Sequence, residues 1–214
     1  MAKSIVNNNT VSELLSSDKK GDLRKGVKLA VNNVLYDFAD DLYNILNNHI
    51  SDGKMWEMNY DIIRLLGKAK YNKVTPILED ICNKNEDHDM VTSAASTALS
   101  RIKRTNINDV DEVKRLLTFG NFAVVDGALR SMGIDRVMPK EEEVNEIIHA
   151  IKAFEPKIET GYADIREGLA VACAGWIKNQ ETKSFLDDCI QSGDSALAKL
   201  ATSAQKGKYA DIDY

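Results

Sequence analysis

The chain has 214 residues, of which 43% are hydrophobic and 29% charged, with 3 prolines and 12 glycines. This is enough apolar content for a packed fold and too few turn-formers for an all-β one, which argues against disorder and for an all-α class. The formal charge of −5 lacks the basic footprint that phosphate contacts require, so nucleic acid is not the expected partner.

The first residues, 1–9, are polar and Asn-rich and form a tail without the charged-then-apolar pattern of a signal peptide. Thr10 with Glu13 reads as a capping box that opens a short helix over 10–17. A second helix over 22–35 follows, with Leu23, Val27, Ala30, Val31 and Val34 on one face. The next pair is 36–51 with 55–70, and the same spacing returns as Met58, Ile62, Leu65, Leu66 and Ala69. In the third pair, 74–84 with 89–104, it is Val91, Ala95, Ala98, Leu99 and Ile102, with Asp89 as N-cap. The fourth pair is 109–119 with 121–134, opened by a capping box of Asp109 and Glu112 and carrying its apolar start at Val124. The fifth is 139–155 with 162–178; Pro139 and the acids Glu141, Glu142 and Glu143 suit a helix start, and Val144, Ile147, Ile148, Ile151 and Phe154 share a face. The sixth, 181–191 with 194–207, precedes a C-terminal tail, 208–214.

The starting residues Leu23, Met58, Val91, Val124, Ile165 and Leu197 are separated by 35, 33, 33, 41 and 32 residues. Periods of this length mark solenoids, in which each unit buries its apolar face against its neighbours. A single domain over 10–207, a right-handed α-solenoid of about six helical hairpins, is therefore expected. The long interval comes from a long first helix and a loop from Pro156 to Gly161, and such insertions can serve as binding elements.

Several runs resemble the HEAT repeat. Leu65-Leu66-Gly67-Lys68-Ala69 followed by Val74-Thr75-Pro76 and Leu78, and later Ala128-Leu129-Arg130-Ser131-Met132-Gly133-Ile134-Asp135, are similar to that family's helix end and next-helix start. Leu23-Arg24 and Ile165-Arg166 match its apolar-Arg pair, each with Gly two residues after the Arg, whereas Asn59, Thr92 and Val125 stand there in the middle three units. The resemblance implies the solenoid fold. Families of that fold include scaffolds, transport receptors, phosphatase subunits, chromophore-lyase relatives and a class of DNA glycosylase.

Residues that could carry chemistry are sparse. Cys82, Cys173 and Cys189 have no metal-ligand spacing and fall in apolar helical registers, as core thiols in a reducing, cytoplasmic setting would. His49, His88 and His149 stand in separate units, and the cluster Glu86-Asp87-His88-Asp89 occupies a turn, so no metal or other cofactor is expected. No nucleophile elbow, phosphate-binding glycine loop or zinc-hydrolase motif occurs, and no apolar run is long enough to span a membrane. An enzyme of the glycosylase type would need a basic groove, aromatic contacts to a base and a carboxylate; Trp56 and Trp176 are present but without a Trp-Asp pairing.

The remaining candidate is a surface. Counting from each starting apolar residue p, positions p+2, p+6 and p+9 of the second helices turn away from the core, toward a concave face. At p+2 stand Lys25, Tyr60, Ser93, Asp126 and Glu167, and at p+6 Leu29, Arg64, Thr97, Arg130 and Val171. Tyr60, Arg64, Thr97, Asp126, Arg130 and Glu167 are thereby expected to line one groove, with the Arg64 and Arg130 guanidinium groups available to a partner's carboxylates. Charge is graded as well, +1 over 1–107 and −6 over 108–214, which can orient an incoming protein. The expected function is non-enzymatic binding of another protein or peptide, as adaptor, scaffold or an inhibitor or immunity-type protein. A glycosylase-like or chromophore-lyase-like enzyme is the alternative.

Overall fold

The computed structural model describes residues 7–86, 88–154 and 164–212. Among these, twelve α-helices and no strand are found: α1 Asn8–Leu15, α2 Lys20–Asn32, α3 Ala39–His49, α4 Trp56–Lys68, α5 Thr75–Lys84, α6 Met90–Lys103, α7 Asp111–Leu117, α8 Phe122–Ile134, α9 Glu141–Ala153, α10 Arg166–Ala172, α11 Gln180–Gln191 and α12 Ser195–Gln205. No described helix is long and apolar enough to cross a membrane.

The even-numbered helices pack in series, α2 on α4, α4 on α6, α6 on α8, α8 on α10 and α10 on α12. α1, α3, α5, α7 and α11 each pack on the even helix that follows, and α9 packs on α11. The core follows the repeating apolar positions: Leu23, Met58, Val124, Ile165 and Leu197 are buried, as are Ala95, Ala98, Leu99, Ala128 and Leu169. Burial of an apolar side chain stabilises by roughly 1.5–3 kcal/mol, so this stripe is the main sequence-encoded force in the fold.

Small residues let the even helices approach closely. A Cβ on Gly67 of α4 would sit 2.5 Å from the Ala98 Cβ of α6, and one on Gly168 of α10 would sit 2.7 Å from the Arg130 amide nitrogen of α8. Polar ties join neighbouring hairpins: Lys20 with Asp52, Asp40 with Lys73, Glu79 with Arg115, Lys114 with Glu146, and Lys152 with Glu181. Arg24 donates to the Lys54 carbonyl, a bond between the first two hairpins, whereas Arg166 is turned to Asp164 in its own unit at 2.6 Å. Arg104, buried after α6, reaches Ser131 in the last turn of α8 at 3.0 Å and Asp135 just after it at 2.6 Å.

Four even helices end in the same turn. After α2, Leu35 N–H bonds Ala30 O (2.9 Å); after α4, Tyr71 N–H bonds Leu66 O (3.0 Å); after α8, Val137 N–H bonds Met132 O (2.9 Å). After α12, Lys208 N–H bonds Ser203 O at 3.1 Å. This is the Schellman closure, which needs a left-handed residue just before its last donor. Gly207 supplies it after α12, but Val34, Lys70 and Arg136 supply it elsewhere with φ of 55°, 51° and 52°.

Several boundaries differ from the sequence expectation. α1 is capped by Asn7, whose Oδ1 accepts from Asn9 N–H, and Thr10 lies inside the helix. Asp109 accepts from Thr105 with one carboxylate oxygen and from Asp111 N–H, at the start of α7, with the other, but Glu112 bonds Arg115, so no reciprocal capping box forms there. Val34 is not a buried helical residue but the left-handed cap, 39% exposed. α10 is short and tightens into a 3₁₀ turn at Cys173–Gly175, followed by Trp176, whose Nε1 donates to Val137 O at 2.9 Å. Asp89 does cap α6, accepting from Thr92 N–H at 2.7 Å, and the three acids do open α9, where Glu143 accepts from Lys140 N–H. The Pro156–Gly161 loop and Asp87 lie outside the described residues.

Candidate functional site: a groove along the even helices

The even helices leave a groove of about 860 Å³ along their common face. Tyr60 and Arg64 of α4, Thr97 of α6, Asp126 and Arg130 of α8, and Glu167 of α10 all line it. The helical spacing thus brings all six together. Lys25 of the same register does not line it, and Val171 is buried.

Their exposure differs from expectation. Asp126 is only 4% and Arg130 only 5% exposed, and Tyr60 is 9% exposed. The cause is the close packing of α8 between α6 and α10, through Gly127 and Gly168, which sinks α8 into the floor. Arg130 is therefore not available to an incoming carboxylate. Its Nε lies 2.8 Å from both Asp126 oxygens, and its Nη2 lies 3.4 Å from Glu167.

This floor is a connected polar network. Ser93 Oγ donates to Asp126 Oδ2 at 2.9 Å, and Thr97 Oγ1 is within reach of Ser93 O at 3.0 Å and Gly127 O at 2.9 Å. Burial pushes the Glu167 carboxyl above its ordinary range, with Arg130 opposing. A carboxylate held out of water resists ionisation unless a cation compensates, and here one guanidinium serves two acids. Toward α4, the Arg64 guanidinium lies over the Tyr60 ring, 5.4 Å from its centroid. Asp61 is half-buried, and burial raises its pKa against the pull of Arg64 and Lys28.

The sequence register omits several wall residues. Lys28 of α2, Asp61 and Lys68 of α4, Met90 at the start of α6 and Phe122 at the start of α8 also line the groove. Each is adjacent to a p+2 or p+6 position on the helical wheel or at a helix end, so a wider arc around those positions would find them. Met90 is 45% exposed and adds an apolar side chain to the groove wall.

The other candidates are not brought together. Among the described residues no group of three His, Cys, Asp or Glu is placed to hold a metal ion. The His88 ring stacks on Phe122, with centroids 5.1 Å apart. Cys82, Cys173 and Cys189 are buried free thiols; burial pushes Cys82 and Cys189 up to about 12 and Cys173 well above the ordinary thiol value. A thiol in that environment is a poor nucleophile. Trp56 is 44% exposed but does not line the groove, and Trp176 is buried. Comparison with protein-family models, curated proteins and solved structures finds no match to this chain.

Proposed function

We propose that the chain is a HEAT-like α-solenoid that binds another protein through the groove, acting without catalysis as an adaptor, scaffold or inhibitor. The observation that carries this is the groove itself, which runs across five even helices and combines a polar floor with apolar side chains at its walls. The serial packing of the even helices supports the solenoid reading, since each hairpin then buries its apolar face against the next. A groove this long presents aromatic and arginine side chains to an extended partner, residue types enriched at binding hot spots. The glycosylase-like alternative is disfavoured by the placement of both tryptophans outside the groove and by carboxylates already engaged with Arg130.

Photo-crosslinking tests this reading. A benzophenone side chain at Lys68, exposed on the groove wall, is expected to capture a discrete protein from native lysate, whereas one at Lys183, exposed on α11, is not. Equal capture from both positions, or nucleic acid in the Lys68 adduct, would remove the basis for a protein-binding groove.

A further inference from the structure

The groove's charges are segregated along its length. At the α2–α4 end Lys28 and Lys68 are exposed, and Arg64 stands beside them. At the α8–α10 end two carboxylates, Asp126 and Glu167, flank the single buried Arg130. The charges between do not blur this contrast. Asp89 is committed to the α6 N-terminus, and Arg101 is bound at 2.9 Å to Asp135, which does not line the groove. Asp61, the acid at the α4 end, is half-buried beneath Lys28 and Arg64.

Lys68 and Glu167 lie on helices three spacings apart in the series α4, α6, α8, α10. At 8–10 Å per helix pair this is roughly 25 Å. That exceeds the Debye length of about 8 Å at physiological ionic strength, so the two ends act as separate electrostatic sites. A polymer of uniform charge, such as a single-stranded nucleic acid, loses at one end what it gains at the other. A polypeptide with its acids and bases at opposite ends gains at both, and places intervening apolar side chains against Met90 at the start of α6 and Phe122 at the start of α8.

We propose that the groove takes a charge-segregated polypeptide segment in one orientation, its acidic end over Lys28 and Lys68 and its basic end over Glu167, the partly exposed acid of a network in which two carboxylates share one guanidinium. This inference rests on the groove being a protein-binding surface, and its test separates the two. Phage-displayed random dodecamers are selected on three proteins: the wild type, Lys28→Glu with Lys68→Glu, and Lys68→Cys carrying a polyethylene glycol chain through a maleimide. Both lysines are exposed, and the native thiols are buried, so the variants keep the fold and the label goes to one site.

The wild type is expected to enrich peptides with acids at one end and Lys or Arg at the other, at least tenfold over peptides of the same composition with mixed charges. The double reversal is expected to lose the preference for the acidic end, and the polyethylene glycol derivative to enrich nothing. Wild-type enrichment that the derivative abolishes, but without charge segregation or with a segregation that the double reversal leaves unchanged, would overturn the polarity and keep a peptide-binding groove. No wild-type enrichment, enrichment that survives the derivative, or displacement of selected peptides by a twelve-residue oligothymidine would overturn the groove reading and the polarity together.

Discussion

Gly127 of α8 faces the Ser93 carbonyl of α6 so closely that a Cβ built on the glycine would lie 2.1 Å from that oxygen. No rotamer change can relieve such a contact, because the Cβ position is fixed by the Gly127 backbone and the oxygen it meets is itself backbone. Gly127→Ala is therefore expected to separate α6 from α8 and lower stability by about 1–3 kcal/mol, as overpacking does. Gly21, in the first turn of α2, has nothing within 4 Å of a built Cβ. Gly21→Ala should be neutral or gain up to about 1 kcal/mol through lost unfolded-state entropy. Urea unfolding of both variants checks the pair; equal midpoints would show that the α6–α8 contact is slack.

Val34 carries a different cost. A β-branched residue at φ 55° is held in a region that L side chains avoid, and the Schellman closure of α2 imposes it. Val34→Gly keeps both closing hydrogen bonds and relieves a penalty on the order of 1–2 kcal/mol, so the melting temperature should rise. The same change removes an apolar side chain from the groove wall. If the groove binds protein, the variant is expected to melt higher and bind more weakly, which is the pattern of strain kept at a functional position. A variant that melts lower would mean that Val34 packs more than it strains.

These two positions mark how far the sequence could be read. The hairpin series and most of the apolar stripe were legible because 3.6-residue periodicity depends only on local spacing. The groove residues were legible as a set for the same reason. Their depth was not, since it depends on how near α6 and α10 come to α8, which is decided by Gly127 and Gly168 and not by residues at the groove positions themselves. Gly26, Gly127 and Gly168 all stand at p+3, and that recurrence was the available signal. The misplaced capping boxes have another cause: Thr10 and Asp109 fit a local pattern, but α1 already starts at Asn8 behind the Asn7 cap, and Asp109 divides its oxygens between Thr105 and the Asp111 N–H while Glu112 turns to Arg115.

The buried network makes Arg130 structural. Replacing it with Leu leaves Asp126 and Glu167 facing each other with the shared cation gone, and removal of one partner from a buried ion pair costs about 3–5 kcal/mol. Arg130→Leu is expected to melt well below the wild type, while Lys68→Glu on the exposed wall is expected to melt within a degree or two of it. Differential scanning calorimetry distinguishes them. Equal and small shifts would mean that the Arg130 site is open to water and that its charge is dispensable to the fold.

Two glutamates should tilt the pH dependence in opposite directions. Burial pushes Glu79 up, but the Lys103 and Arg115 contacts outweigh it and hold its carboxyl below the ordinary 4.5. The folded state then binds protons less readily than the unfolded state, so this contribution is present above pH 4.5 and lost as pH falls through the folded pKa. Glu167 lies above 4.5, so its contribution is complete below that pH and lost as pH rises through the folded pKa. Relative to wild type, Glu79→Gln is expected to lose stability at neutral pH and to converge with it in acid. Glu167→Gln is expected to gain on the wild type as pH rises above 4.5. Denaturation series from pH 3 to 7 read both slopes, and parallel curves would show that neither carboxyl titrates differently on folding.

The final hairpin tests whether the serial packing is what holds the chain together. α12 packs on α10, and α11 packs on α12 and α9; Phe185, Leu186, Cys189, Leu197, Ala201 and Ala204 are all buried there. Ending the chain after residue 179 removes those partners and leaves Leu169, Ala172 and Cys173 of the α10 region facing water. The C-terminal stretch goes too, with Tyr209 beside the Arg136 guanidinium at 5.0 Å and Ile212 beside Gly133. In a stack stabilised by nearest neighbours, the loss falls on the new last unit first. The truncated chain is expected to show amide exchange rising in α9 and α10 while α4 and α6 stay protected, together with concentration-dependent aggregation through the bared face. Uniform loss of protection in every helix would point instead to one indivisible core, and unchanged protection and solubility would mean that the sixth hairpin is no part of the stack.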